Sequence, residues 1–391
     1  MSGGGSKFAR LGCDYVHKVE DIPDLVVKIL SYLPVGSVLR CKLVCKSWYR
    51  LIKEPRFAQL QFNCSPKAPK FILSQSRADS ELEARNNLSL MDIDGKSYPY
   101  VTLPPSLAKD CSLRLICSFN GLIFFTKLVG EDDLAIHICN PATQEVIEVP
   151  RGSPSAVIPS IGVLFEPNRN KYMIFRFFSD AFELEEISYK YEIYTPDDGD
   201  WGRISEVEQC PVTNLACHYF PTHLCVGGRM YWLVWSEQNG EVPDYIRCVD
   251  VDGDLTRLEL PETDRTEFNV FTFLADYEGG LALVAVCDDE SCLFFWSLTD
   301  HDTSSWSLHG GAELNMHSYI ERINSIVSVG QELLFIINID DAPFFCFKFL
   351  NANEMTWREI DCHLQPEESE PVAFQYEESL FRCEGECEDE D

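Results

Sequence analysis

Apolar positions follow two rhythms along the chain. Between residues 20 and 62, Leu25, Ile29 and Leu33 recur at every fourth position, with Val26 and Leu30 beside them. That spacing lines one face of a helix. Pro23 and Asp24 suit its first turn, where a missing N–H is harmless and a carboxylate meets the positive end of the helix dipole. Pro34 is expected to stop it. A second set, Val38, Leu39, Leu43 and Val44, predicts another short helix, and Trp48, Leu51 and Ile52, closed by Pro55, a third. Three short helices in about 40 residues bury too little surface to stand alone, so this module implies a partner.

After residue 68 the rhythm changes to alternation at period two, the mark of strands. A unit then recurs, most clearly at 88–94, 136–141, 191–196, 246–252, 293–299 and 345–351. From Asp94 to Asn351 the five steps average about 51 residues, a period that with several strands per unit predicts a propeller. Between successive copies lies an earlier hairpin, turning at Asn120-Gly121, Asn168-Arg169-Asn170, Gly227-Gly228, Gly279-Gly280 and Gly330, where Gly and Asn supply the positive φ of tight turns; the first unit lacks a clear second hairpin. Each turn leads into a strongly apolar strand. Four strands per unit and six units follow, and a lone strand at 372–376 is expected to complete the first blade and close the ring.

Charge adds to this picture. The 391 residues carry 32 Lys+Arg against 63 Asp+Glu, a net charge of −31. Such a chain repels nucleic acid and anionic membrane, so neither is an expected partner. Apolar runs such as 281–287 fall far short of a bilayer span. Residues 1–18 lack the apolar core of a secretory signal and are expected to be a flexible tail. The 17 cysteines lie mostly singly in apolar strands, which predicts free thiols in a reducing compartment, nucleus or cytoplasm. Residues 382–391 are expected to form an acidic disordered tail. Within this acidic chain, residues 18–56 hold eight bases and four acids, so the helical module is +4 and suits an acidic partner surface.

The helical segment carries a resemblance. Ile22-Pro23-Asp24-Leu25, Ile29-Leu30-Ser31-Tyr32-Leu33-Pro34, Leu39-Arg40-Cys41-Lys42-Leu43-Val44-Cys45-Lys46-Ser47-Trp48 and Pro55-Arg56-Phe57 together resemble an F-box, here residues 19–62. Ile22 and Val26 stand where the family usually has Leu, and Gly36-Ser37 weakens the start of the second helix. The resemblance implies docking on a Skp-type adaptor and, through it, a cullin-RING scaffold. It implies that Pro23, Ile29, Leu33, Pro34, Leu39, Val44 and Trp48 form or support the docking face.

Residues 68–381 resemble the F-box-associated, kelch-like propellers of plant-type F-box proteins. The phrases Cys117-Ser118-Phe119-Asn120-Gly121-Leu122 and Cys139-Asn140-Pro141-Ala142-Thr143 are the most typical, and the Gly-Gly doublets with the late Trp201, Trp306 and Trp357 are kelch-like. The expected fold is mainly β with a small α module, a three-helix F-box followed by a six-bladed kelch-like β-propeller. The implied function is the non-catalytic substrate-recognition subunit of a Skp–cullin–F-box ubiquitin ligase. A scaffold that sequesters a partner without degrading it would use the same two parts, and a propeller can also hold an enzyme site that spacing hides.

Successive connections of a four-stranded blade alternate between the two faces of the disc. The tight early hairpins therefore share one face, and the longer second-to-third connections share the other. Those longer loops hold Glu131, Asp132, Asp133, Asp180, Glu183, Glu185, Glu186, Glu237, Glu241, Asp244, Asp288, Asp289, Glu290, Asp340 and Asp341 against one base, Lys127. One face should be strongly acidic and would receive a basic protein target. Two loose sets of zinc-capable residues, Cys217-His218 with His223 and Cys225, and Cys362-His363 with Cys383 and Cys387, lack regular spacing and read as strand and tail residues. No catalytic motif is present, and neither a metal nor a cofactor is expected.

Overall fold

The computed structural model describes residues 23–67, 70–75, 87–98, 101–108, 113–130, 133–166, 171–180, 189–207, 223–235, 243–262, 271–287, 292–314, 320–329, 331–339, 345–360 and 371–384. Among the described residues the helical module has four helices: α1 (Pro23–Ser31), α2 (Val35–Cys41), α3 (Lys46–Lys53) and α4 (Pro55–Cys64). Pro55 closes the third helix as expected, but a fourth that was not expected follows it. Pro55 occupies the first turn of α4, where its fixed φ favours a helix, and so it separates two helices. Cys45 caps α3, its sulfur accepting from the Trp48 N–H at 3.4 Å.

Six four-stranded antiparallel sheets form the remainder. Blade 1 takes β1 (Lys70–Gln75), β2 (Asn87–Asp92) and β3 (Ser97–Tyr98). A four-residue helix, α5 (Pro105–Ala108), then leads to blade 2, β4 (Leu113–Phe119), β5 (Leu122–Val129), β6 (Asp133–Asn140) and β7 (Glu145–Glu148). Blade 3 is β8 (Ser160–Glu166), β9 (Lys171–Phe178), β10 (Tyr189–Tyr194) and β11 (Trp201–Val207), and blade 4 is β12 (His223–Val226), β13 (Arg229–Val234), β14 (Tyr245–Asp250) and β15 (Leu255–Leu258). Blade 5 is β16 (Phe271–Tyr277), β17 (Gly280–Cys287), β18 (Cys292–Asp300) and β19 (Ser305–Glu313). Blade 6 is β20 (Ile320–Val329), β21 (Glu332–Ile339), β22 (Cys346–Asn351) and β23 (Thr356–Ile360). The last strand, β24 (Pro371–Tyr376), pairs with β1 from Lys70↔Tyr376 to Gln75↔Pro371 and becomes the first strand of blade 1. The ring closes as expected, and the first strands of successive blades touch one another around the axis.

The six recurring segments all fall on third strands, and each ends in the same device. A side-chain oxygen of Asp92, Asn140, Thr195, Asp250, Asp300 or Asn351 accepts backbone N–H groups from the turn that follows. An Asx or Thr turn of this kind fixes the link to the fourth strand without help from the rest of the blade. The repeat is thus a local hydrogen-bonding unit as well as an apolar pattern.

Apolar side chains fill the gaps between blades. Ile72 and Leu90 of blade 1 meet Ile123 and Phe125 of blade 2, and Phe335 and Ile337 meet Val284 and Phe295 between blades 5 and 6. Outer tryptophans add a polar tie. Trp201 Nε1–H donates to Pro150 O at 2.7 Å and Trp306 Nε1–H to Glu259 O at 2.9 Å, each reaching just past the fourth strand of the preceding blade. Trp357 occupies the same strand position in blade 6, yet its Nε1 has no partner among the described residues; Lys348 Nζ occupies Leu314 O at that seam instead. Trp306→Phe removes the donor and trims the indole to a phenyl ring, so it is expected to cost at least about 1 kcal/mol in a urea melt. A loss under about 0.3 kcal/mol would show that the tie is compensated by water.

Closure with a single C-terminal strand dictates where the helical module sits. β24 runs toward the tight-turn face and β1 runs away from it, so the chain enters and leaves the propeller at the same face. Lys67 and Glu377 mark the two points with an ion pair of 2.9 Å. The helices therefore rest on the tight-turn face, over blades 2 and 3. There Val26, Leu30, Val38, Ile52, Phe57 and Phe62 share one core with Phe124 and Ile138 of blade 2, Tyr172 and Ile174 of blade 3, and Leu380, Phe381 and Cys383.

That last trio corrects an expectation. Cys383 is fully buried in the core seam between the exposed Arg382 and Glu384, so packed chain runs past residue 382, where an acidic tail was expected to begin. Residues 385–391 and 1–18 lie outside the described residues.

Candidate docking faces

The helical module turns one side to the propeller and leaves the other bare. Within α1, Val26 and Leu30 are buried, while Leu25 and Ile29 are exposed, the latter at 53%. The turn after α2 presents Leu43 at 87% and Val44 at 59%. Tyr32, Tyr49 and Leu60 of the same module are exposed as well. Large apolar side chains clustered in the open on so small a module mark an interaction surface.

Of the seven residues that the resemblance assigns to docking, Ile29, Pro34 and Val44 are exposed. Leu33, Leu39 and Trp48 are half-buried and pack against the shared core, so they support the face from beneath. Pro23 opens α1. Leu25, Tyr32, Leu43, Tyr49 and Leu60 are further exposed apolar or aromatic side chains of the module outside that set. Leu25 and Leu43 are legible as apolar positions, but nothing in their spacing tells outward from inward.

The second-to-third strand connections open on the opposite face, at the strand ends Val129, Phe178, Val234, Cys287 and Ile339. Of the acidic residues expected there, Asp133, Asp180 and Asp244 lie among the described residues. Glu131, Asp132, Glu183, Glu185, Glu186, Glu237, Glu241, Asp288, Asp289, Glu290, Asp340 and Asp341 lie outside them. Asp133 is a strand residue rather than a loop residue. Its carboxylate takes Arg176 Nη2 at 3.3 Å and Arg151 Nη1 at 3.4 Å, so it is committed within the protein. Asp180 accepts from Lys190 Nζ at 2.6 Å, and that hydrogen bond holds its carboxyl below the usual range.

Arg176 is the centre of the polar network at this end of the blade 2–3 seam. It is 2% exposed and donates through Nη1 to Glu192 Oε1 at 2.8 Å. Glu192, equally buried, also accepts from the Ser153 N–H at 2.9 Å and the Ser153 hydroxyl at 2.7 Å. The guanidinium lies over the Phe178 ring at 5.2 Å. These contacts meet the Glu192 carboxylate and both terminal nitrogens of the guanidinium, as a buried pair requires, while Arg176 Nε has no hydrogen-bond partner among the described residues.

The zinc-capable residues are placed as strand and seam residues where they are described. His223 and Cys225 lie on β12, where burial pushes the imidazole down to about 4 and the thiol up. The Cys225 thiol donates to Val163 O. Cys383 is in the core seam, and Cys217, His218, Cys362, His363 and Cys387 lie outside the described residues. Among the described residues no three metal-ligating side chains converge. No helix among them is long and apolar enough to cross a membrane.

A cavity of about 380 Å³ lies where α3, α4, blades 2 and 3 and the C-terminal segment meet. Lys42, Lys53, Lys171 and Arg382 line it together with Glu54, Glu145, Asp197 and Glu384. Burial and the neighbouring Lys53 and Arg382 pull the Lys42 ammonium below its usual range. Four cations against four carboxylates give the cavity no net charge with which to choose a ligand.

Comparison with known families bears on this two-part build. The F-box associated beta propeller domain family matches residues 82–381, and the F-box domain family matches residues 20–60. The chain belongs to the F-box proteins with an F-box-associated β-propeller. Similar proteins in Arabidopsis thaliana include the F-box protein At5g49610, 24% identical over 73% of this chain and 77% of its own length. The putative F-box protein At3g17480 is 24% identical over 83% of this chain and 94% of its own. Among solved structures, the periplasmic gluconolactonase of Pseudomonas aeruginosa aligns over 75% of this chain and 82% of its own at 10% identity and a TM-score of 0.43. A likeness that distant carries no argument about chemistry. F-box proteins with propellers are in general receptors or adaptors rather than catalysts, and the F-box in general binds Skp-type adaptors.

Proposed function

We propose that this F-box protein is the substrate-recognition subunit of a Skp–cullin–F-box ubiquitin ligase, acting in the nucleus or cytoplasm. The observation that carries the reading is the apolar face left open on the F-box while its other side is sealed to the propeller. On this reading the adaptor covers Leu25, Ile29, Tyr32, Leu43 and Val44, and the cullin-RING scaffold follows from the adaptor. The target then binds the far face, one propeller thickness away, and is held near the charged ubiquitin carrier. Such a subunit performs no bond chemistry; it raises the effective concentration of target lysines.

Co-purification with a Skp-type adaptor and a cullin tests the first half. A proteasome-dependent fall in target abundance separates the ligase subunit from a sequestering scaffold, which would leave abundance unchanged. The acidic loops favour a basic target. Changing Glu183, Glu185, Glu186 and Glu237 to Gln is expected to weaken target capture severalfold at low salt without altering adaptor binding. Unchanged capture at low ionic strength would remove the loops from the interface.

A further inference from the structure

Both ends of the propeller meet the F-box, and the C-terminal one does so with unusual thoroughness. Residues 377–384 cross the tight-turn face of blade 2 and end between α4 and blade 3. Ser379, Leu380, Phe381 and Cys383 are all buried. The Phe381 ring lies 5.1 Å from Phe62 of α4. The Tyr172 hydroxyl donates to Cys383 O. Gly121, at φ +81°, leaves room for the crossing: a Cβ there would lie 2.5 Å from Ser379 Oγ and 2.7 Å from Glu377 O.

Asn140 distinguishes this crossing from ordinary packing. Its Oδ1 makes the turn common to all six blades, accepting from the Ala142 N–H at 2.9 Å and the Thr143 N–H at 3.3 Å. In blade 5 Asp300 accepts at the same two positions, the second and third residues on, and in blades 1 and 4 Asp92 and Asp250 accept at the second and fourth. The turn therefore needs only the oxygen. In blade 2 the amide nitrogen has a second task, donating to Ser379 O at 3.1 Å and Phe381 O at 2.8 Å. An acceptor-only carboxylate would face two carbonyl oxygens there.

We propose that residues 377–384 are a positioning strap, and that Asn140, Tyr172 and Gly121 form its keeper on the propeller. The strap joins the two modules into one body, so the adaptor-binding face is held at a fixed attitude to the far, target-facing side. Because it follows the closing strand β24, the F-box is seated only when residues 377–384 are in place. A chain truncated after the propeller strands would carry both modules and lack the fixed geometry between them. The functional consequence rests on the receptor reading; the seating itself does not.

Asn140→Asp tests this, with Asn351→Asp as the matched change in blade 6, where the amide turn binds no strap. Hydrogen exchange on the full chain reads the seam directly. Amides of α4 are expected to exchange about tenfold faster in Asn140→Asp and at the wild-type rate in Asn351→Asp. β17, in the distant blade 5, should be unchanged in both. Tyr172→Phe removes one anchor and keeps the ring, and should move α4 in the same direction if Asn140→Asp disturbs the whole propeller. Wild-type α4 exchange in both Asn140→Asp and Tyr172→Phe overturns the proposal, as does an equal effect from Asn351→Asp. In a ubiquitination assay Asn140→Asp should keep adaptor affinity and lose target modification severalfold. Failure of the wild type to bind the adaptor would refute the receptor reading and leave the exchange result standing.

Discussion

Replacing Ile29 and Val44 together by aspartate is expected to weaken adaptor binding by about a hundredfold or more, with little loss of fold stability. Both side chains are more than half exposed, so in the free protein they bury little that a charge would disturb. Surface changes of this kind usually stay within about 0.5 kcal/mol, with a few tenths more for a carboxylate near the C-terminal end of α1. In the complex the same positions would be covered, and two uncompensated carboxylates in an apolar contact cost several kcal/mol. Titration against a purified Skp-type adaptor beside a urea melt separates the two effects. The contrasting change is Leu30→Asp. Leu30 is 1% exposed in the core shared with the propeller, so its replacement should unfold the module. If the double variant binds as wild type does, the open apolar face is not the adaptor site.

That pair of neighbours shows what the sequence can tell. Ile29 and Leu30 are both apolar at helical spacing, and the periodicity that reveals α1 is the same for a side buried in the fold and a side awaiting a partner. The propeller is legible because its signal is local and repeated: six alternating apolar segments, with Gly- or Asn-bearing hairpin turns at the five steps between them. Closure by 372–376 follows from counting strands. Pro55 misleads because proline both ends a helix and opens one, and Phe57, Ala58 and Phe62 beyond it form a helical stripe only if Pro55 is taken as a start. The strap is illegible. It has no periodicity, its acidic neighbours suggest solvent, and its partner Asn140 lies 239 to 241 residues away. Asp133 resembles a loop residue because its charge matches that of its neighbours, whereas Arg176 draws it into the sheet.

Arg176 is also where the largest loss of stability is expected. Glu192→Ala should destabilise the propeller by about 3–5 kcal/mol, since it leaves a guanidinium without its partner in a site that is 2% exposed. Neither Ser153 nor Asp133 can substitute: Ser153 loses its own acceptor, and Asp133 already meets Arg176 Nη2 from a more open position. Arg176→Met with Glu192→Met removes both charges while keeping apolar volume beside Phe178, and should cost much less than Glu192→Ala alone. The order of the two urea midpoints is the test. A double variant less stable than Glu192→Ala would mean that the pair holds blades 2 and 3 by attraction, not by mutual neutralisation. Salt should hardly change the Glu192→Ala loss, because ions screen exposed charges and this pair is shielded from them. The same seam carries the F-box on its opposite end, so loosening it should also raise exchange in α4, though less than in Asn140→Asp. On the proposed receptor reading, the target-facing and adaptor-facing ends share one blade seam and hence its rigidity, and the far end of that seam depends on the buried Arg176–Glu192 pair.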